Sequence, residues 1–247
     1  MRKPENHRGV LTIIAFLLLI TSVNAQSSYG TLSIDFLHYV DSDTLQLDTT
    51  AYKNAFGQTY SITKFKYYIS NIELIKTTGE KTRFPMSFLI DEEKPESKNI
   101  TSRFIPEGEY KSISFIIGVD SIHNCSGAQS GALDPVNTMF WTWNTGYIFL
   151  KLEGKAQSST APGKIFEYHI GGYKNPNNCI RKVELPFFTA IKITKSKTAE
   201  LKLKVNIAEI LRGPESIDFS KLPSVTDKNH ATIMADNYKD IFEVIVR

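Results

Sequence analysis

The sequence predicts a mainly β protein, an antiparallel β-sandwich with a long ordered loop and a C-terminal α-helix. Three observations predict this fold. Segments rich in β-branched and aromatic residues alternate between apolar and polar positions along most of the 247-residue chain. Turn-forming residues separate these segments at short intervals. Helical spacing of apolar residues occurs only near the end of the chain.

The first 25 residues are predicted to be a secretory signal peptide. A basic segment, Met1–Arg8, precedes the apolar run Val10–Ile20, and Val23-Asn24-Ala25 supplies small residues for cleavage. The apolar run is well short of the roughly 20 residues that a membrane-spanning helix needs. No cysteine follows the cleavage position, so a lipid anchor is not expected. We therefore predict a periplasmic or secreted protein whose residues 26–247 form a single domain.

The composition excludes several classes of function. The chain has 29 basic and 26 acidic residues, and it is close to neutral once the signal peptide is removed. A charge near zero argues against nucleic acid or an anionic membrane as the main partner. With 41% hydrophobic residues the chain can bury a core, which excludes a disordered protein.

The strands and the helix follow from the spacing of apolar residues. Thr77–Glu80 and Ala156–Gly163 have the composition of turns between strands. Near the C-terminus the period changes, and a helix is predicted from about Lys228 to Glu243. The predicted strands are, in order, Thr31–Tyr39, Ser61–Lys76, Arg83–Ile90, Lys111–Val119, Tyr147–Glu153, Ile165–Ile170 and Thr198–Ile207.

One long segment, Asp120–Gly146, shows little strand pattern and contains several turn residues. Loops of this length are usually functional or disordered, and Phe140, Trp141 and Trp143 argue against disorder. If the backbone is extended, Trp141 and Trp143 share a face. Three roles are then open for the indoles: packing in the core, stacking on a sugar or apolar ligand, or lying beside a metal.

Four histidines follow the signal peptide. His38 is in register with apolar residues of its strand, so it is expected to point inward, either as a satisfied core residue or as a ligand. His169 ends a strand just before two glycines, where a ligand has open approach. His123 lies in the long loop, where it is expected to be a surface residue. His230 opens the helix, where it is expected to be a first-turn residue or a neighbour of the cap.

The two cysteines, Cys125 and Cys179, are predicted to form a disulfide, because exported proteins fold in an oxidising compartment. A pair of thiolate metal ligands is the alternative.

Oxygen donors in the long loop suggest a structural Ca²⁺ ion only weakly, since no twelve-residue calcium loop is present. The chain has no nucleophile elbow, zinc-protease motif or phosphate-binding loop, so we do not expect an enzyme. The oxygen donors in the long loop that suggest Ca²⁺ are Asp120, Asp134, Asn137 and Asn144.

The sequence resembles the MbnP family, and the resemblance extends over most of the predicted mature chain. The most specific match is Met139–Tyr147, which reads Met-Phe-Trp-x-Trp-x-x-Gly-Tyr, and Phe166–Gly172 matches the family's His-Leu-Gly turn. Supporting matches are Lys66–Ile72, Gly118–Ser121, Ser126–Ala128, Gly131–Pro135 and Asp236–Tyr238 with Phe242.

The resemblance implies a β-sandwich-like, exported, methanobactin-associated copper-binding protein. It implies copper bound by histidines and by a tryptophan oxidised to kynurenine, with the oxidation performed by a separate dihaem partner of the cytochrome c peroxidase type. Carried over to this sequence, it assigns Trp141 or Trp143 as the oxidised residue and His169 as a ligand. His38 is then the best candidate for a second ligand, mainly because of its inward register.

The sequence is also compatible with two other functions. One is a metal-independent binding module for a carbohydrate or other organic ligand, with aromatic platforms at Trp141, Trp143, Tyr147 and Tyr173. The other is a structural or partner-docking protein of the cell envelope, with the same aromatics in its core.

Overall fold

The computed structural model of the protein describes residues 28–141, 146–225 and 228–245. The predicted signal peptide therefore lies outside the described residues. None of the helices in these ranges is long and apolar enough to cross a membrane.

The described residues form strands that build two large sheets and one short ribbon. The strands are β1 (Tyr29–Val40), β2 (Asp43–Thr44), β3 (Tyr52–Lys53), β4 (Thr59–Lys76), β5 (Lys81–Asp91), β6 (Asn99–Pro106), β7 (Gly108–Ile117), β8 (Phe140–Trp141), β9 (Gly146–Tyr147), β10 (Leu150–Ala156), β11 (Ile165–Ile170), β12 (Arg181–Ile193), β13 (Thr198–Asn206), β14 (Ser224–Val225) and β15 (Phe242–Val244). The α-helices are α1 (Ser121–Cys125), α2 (Ala208–Arg212) and α3 (Lys228–Tyr238).

The first sheet has the strand order β15-β13-β1-β2, with β6 also paired to β1. β1 buries every second residue, as its alternation predicts. β1 and β13 run parallel, with Phe36 opposite Leu203 and His38 opposite Val205. The fold is thus the predicted β-sandwich, and its sheets are mixed in strand direction.

The second sheet has the order β12-β7-β4-β10-β11-β14, with β3 and β5 also paired to β4. It packs on the first sheet through aromatic side chains. The ring of Phe36 lies 6.4 Å from that of Tyr67, and Phe242 lies 5.0 Å from Phe115. The face of the second sheet that carries Tyr67 is therefore its inner face, and we call the opposite face the outer face.

The long loop lies on this outer face. Successive strand residues point to opposite sides, so Tyr68 projects outward where Tyr67 projects inward. The hydroxyl of Tyr68 donates to the carbonyl of Ala132 at 2.9 Å, and its ring packs at 5.8 Å against that of Tyr147. The described part of Asp120–Gly146 is ordered, as its aromatic content predicts, and it includes α1 and β8.

The C-terminal helix begins at the predicted residue but ends earlier than predicted. α3 covers Lys228–Tyr238, and the chain then returns as β15 to pair with β13. Phe242, which the spacing places on the helix, instead packs between the sheets. The prediction extended too far because strand β15 is short and its apolar residues continue the helical spacing.

The predicted disulfide is not supported, because Cys125 and Cys179 are both free thiols. They occupy different environments: Cys179 is buried and Cys125 is exposed. The sulfur of Cys125 lies 3.6 Å from the Tyr173 hydroxyl, whereas that of Cys179 lies 3.8 Å from the Asn177 carbonyl. The prediction rested on compartment and cysteine count, and neither fixes where the two side chains point.

Candidate functional site

His38 lies between the sheets, with both ring nitrogens engaged. Its Nδ1–H donates to Glu92 Oε2 at 2.6 Å, and the Tyr67 hydroxyl donates to Nε2 at 3.0 Å. Burial lowers the pKa of His38 below its ordinary value, although the Glu92 carboxylate acts in the opposite direction. A neutral imidazole with two partners has no lone pair left for a metal. The inward orientation predicted for His38 is correct, and in this arrangement it is a satisfied core residue.

His169 lies on the outer face. It pairs with Lys151 of β10, and Lys151 pairs with Lys66 of β4. Paired residues project on the same side of a sheet, so His169 shares the outer face with both lysines. Its side chain is 29% exposed, which leaves the approach that the sequence predicts for a residue before a glycine turn.

The partner of His169 is a carboxylate on the neighbouring strand. The Nε2–H of His169 donates to Glu153 Oε1 at 2.8 Å, and Lys64 lies 3.4 Å from the other oxygen. The hydrogen bond from His169 lowers the pKa of Glu153 to about 2, and the charge of Lys64 adds to this effect against the opposing effect of burial. Nδ1 of His169 has no hydrogen-bond partner within the described residues.

The structure therefore does not bring His38 and His169 together. Tyr67, which binds His38, and Lys66, which is in register with His169, are adjacent residues of β4 and project to opposite faces. A pleated backbone layer separates the two imidazoles. One copper ion cannot contact both side chains in this arrangement.

Trp141 lies next to the strand end that carries His169. A Cβ atom added to Gly171 would lie 2.7 Å from the Trp141 ring and 2.4 Å from the Tyr147 carbonyl oxygen. Only glycine allows the indole to approach the backbone this closely. The family resemblance implies that Trp141 or Trp143 belongs to the site, and the structure places the ring of Trp141 against Gly171, two positions after His169. Trp143, the other candidate, lies outside the described residues.

Helix α1 reaches the same strand end. Cys125, its last residue, contacts Tyr173, which follows Gly171 and Gly172. In the same helix, Nδ1 of His123 lies 2.9 Å from both carboxylate oxygens of Asp120. His123 therefore belongs to the loop that covers the outer face, the face that also carries His169.

The described residues do not form a complete metal site by themselves. In the ranges that the structure describes, no group of three or more His, Cys, Asp or Glu side chains could hold a metal ion. Two of the oxygen donors predicted for Ca²⁺ accept hydrogen bonds: Asp120 from His123 and Asn71, and Asp134 from the backbone N–H of Val136. The side-chain amide of Asn137 donates to the carbonyls of Gly131 and Ala132. Asn144 lies outside the described residues.

Sequence reasoning missed Glu153 and Lys151. Lys151 is almost fully buried, donates to the Thr138 carbonyl at 2.6 Å, and has its pKa lowered by burial. The predicted turn at Ala156–Gly163 carried a signal for both residues, because a hairpin folded about it sets Lys151 opposite His169. A hairpin folded about that turn aligns Glu153 with Glu167, which sets Glu153 diagonally next to His169.

Comparison with known proteins places the chain in a family. The sequence model of the MbnP family matches residues 29–232. Among solved structures, the chain is similar to MbnP from Methylosinus trichosporium, with 13% sequence identity and a TM-score of 0.51 over 78% of this chain and 80% of that one. Comparison with curated proteins gives no match. The structural likeness, at this identity, shows a shared fold. The family match covers most of the sequence, and the chain therefore belongs to the MbnP family.

Proposed function

We propose that this chain is an exported copper-binding protein without catalytic activity, and that copper binds on the outer face near the end of β11. Membership of the MbnP family supports copper as the metal. Export rests on the predicted signal peptide, residues 1–25, which lie outside the described part of the chain.

The orientation of His169 is the observation that carries the proposal. Histidines that ligate metals almost always donate their other ring N–H to a carboxylate, carbonyl or water. Glu153 accepts such a bond from Nε2 at 2.8 Å, and this leaves Nδ1 with its lone pair. Imidazole nitrogen suits copper, so His169 has the chemistry and the geometry of a ligand.

The remaining donors must come from the loop on the same face. We propose His123 as the second imidazole in place of His38, because His38 is buried on the other face with both nitrogens engaged. Trp141 or Trp143 would contribute a donor only after oxidation to kynurenine, since an indole offers none. A separate dihaem enzyme of the cytochrome c peroxidase type is the proposed oxidant.

A Cu(I) competition titration against a chromophoric chelator tests the proposal. We expect His169→Ala to weaken Cu(I) affinity at least tenfold, about 1.4 kcal/mol, and His123→Ala to weaken it as well. His230→Ala, on helix α3, is the matched control and is expected to leave affinity unchanged. Equal affinity of wild type and His169→Ala would remove the basis for the site.

The alternative, a metal-independent module for organic ligands, has less support. Of its proposed platforms, Tyr147 is 1% exposed and cannot stack on a ligand. Trp141 is half-buried, with its ring against Gly171. Binding to a glycan panel in the presence of a chelator, abolished by Trp143→Ala, would favour this alternative over copper.

A further inference from the structure

An apolar cleft of about 340 Å³ opens between the two sheets at one side of the sandwich. It lies apart from the candidate copper site, because none of its lining residues belongs to β10, β11 or the long loop. The side chains that line its floor come from both sheets and are almost fully buried: Leu32, Ile34, Ile72, Ile100 and Ile105.

The cleft is open because two edge strands flank it. Among the described residues, β5 pairs with β4 and β6 pairs with β1, and neither pairs with a strand on its other side. Each edge strand contains a bulge. Phe84 and Ser87 of β5 face Ile72 and Ser70, so two residues of β5 oppose one of β4.

The bulge in β6 has the same form. Ser102 and Ile105 face Leu32 and Gly30, which leaves Arg103 and Phe104 opposite a single residue. Bulges bend and twist an edge strand, which keeps the two sheet edges apart. Two large apolar residues beside the cleft, Met86 and Phe104, are 55% and 78% exposed.

The described residues that line the cleft are mostly apolar, and a single one is charged. Nine of the lining residues are apolar, and the three others are Thr101, Ser102 and Arg103. Among the described residues, no carboxylate lines the cleft. Arg103 is exposed, and its guanidinium has no ion pair or hydrogen bond in the part of the chain that the structure describes.

We propose that this cleft binds a hydrophobic carboxylate of the fatty-acid class, with its hydrocarbon chain between the sheets and its carboxylate at Arg103. The volume is within the range of ~300–1,000 Å³ of small-molecule pockets and exceeds the ~150 Å³ apolar cavity that holds benzene. Arg103 is the one charged residue among the described residues that line this mostly apolar cleft, and a guanidinium complements a single carboxylate. The inference does not depend on the copper proposal.

Displacement of a fluorescent dansyl fatty acid from the full chain tests this site. We expect saturable binding that free dodecanoate reverses. Ser102 pairs with Leu32 and shares its inward face, so Ser102→Leu should narrow the cleft and weaken dodecanoate at least tenfold. Phe188→Ser removes an exposed phenylalanine on β12, outside the cleft, and should leave binding unchanged.

A second variant tests the contribution of the ligand's carboxylate separately from that of its hydrocarbon tail. Arg103→Gln lies at an exposed position, so it should fold, and it should weaken dodecanoate tenfold while leaving dodecanol unaffected. Vesicles of phosphatidylcholine distinguish a free acid from a membrane lipid and are expected not to displace the probe. Absence of saturable binding, binding that neither variant weakens, or displacement by vesicles but not by dodecanoate would overturn the proposal.

Discussion

Replacing His38 by alanine tests whether its imidazole is a structural group of the core. The bond from Nδ1 to Glu92 involves a charged acceptor and contributes ~1.5–3 kcal/mol. Its loss also leaves the Tyr67 hydroxyl, in a residue that is 0% exposed, without its partner, which costs ~1–3 kcal/mol. We expect His38→Ala to lower the free energy of unfolding by about 2.5–6 kcal/mol, the sum of the two effects.

Urea unfolding at pH 7 measures the change, and a double-mutant cycle assigns it. Tyr67→Phe should destabilise the wild type, since it leaves Nε2 of His38 without a donor. In the His38→Ala background the same substitution removes an unsatisfied hydroxyl and should recover ~1–3 kcal/mol. A loss below ~1 kcal/mol for His38→Ala, or additive effects in the cycle, would refute the reasoning.

The pH dependence provides a second check on His38. Its folded pKa lies below its ordinary value of 6.5, so the unfolded chain takes up the proton more readily than the folded one. The stabilisation is complete above pH 6.5 and is lost as the pH falls through the folded pKa. His38→Ala should lack this part of the pH dependence.

Three further predictions concern the outer face and the thiols. Glu153→Gln should lower the free energy of unfolding by up to ~3 kcal/mol at pH 7, because the pKa of Glu153 falls from 4.5 to about 2 on folding. In urea unfolding, the difference in stability from wild type should shrink as the pH is lowered from 4.5 to about 2. A difference that stays constant over this range would contradict the prediction. Gly171→Ala should shift tryptophan fluorescence and destabilise the fold by ~1–3 kcal/mol, since the added methyl meets the Trp141 ring; unchanged spectra would argue against this contact. A thiol reagent at pH 8 should modify Cys125 at once and Cys179 only on unfolding, because burial raises the pKa of Cys179 to about 11; two unreactive cysteines would indicate a disulfide.

Strands with one buried and one solvent-exposed face could be predicted from the sequence, because the alternation of apolar and polar residues is a local pattern. Thr198–Ile207 is predicted, and β13 covers Thr198–Asn206 with Leu201 and Val205 buried. β12 was missed because it is an edge strand whose centre, Pro186–Ala190, exposes apolar residues and carries an irregularity in register. The parallel pairing of β1 with β13 joins distant segments and leaves no local pattern.

The candidate site could be predicted in part. The alternation of β11 already sets His169 on the polar side of its strand, and that of β1 sets His38 on the apolar side. The stacking of the two sheets, which the alternation does not reveal, decides that the His169 side of β11 and the His38 side of β1 face away from each other. The partners Glu92 and Tyr67 are far from His38 along the chain, and the disulfide prediction failed for the same reason: contacts between distant residues depend on tertiary packing.

The copper position tests the central claim most directly. Anomalous diffraction from crystals of the copper-loaded protein locates the ion without assumptions about its ligands. We predict copper on the outer face of the second sheet, bonded to Nδ1 of His169, with Glu153 still accepting a hydrogen bond from Nε2. Copper between the sheets at His38 would contradict it.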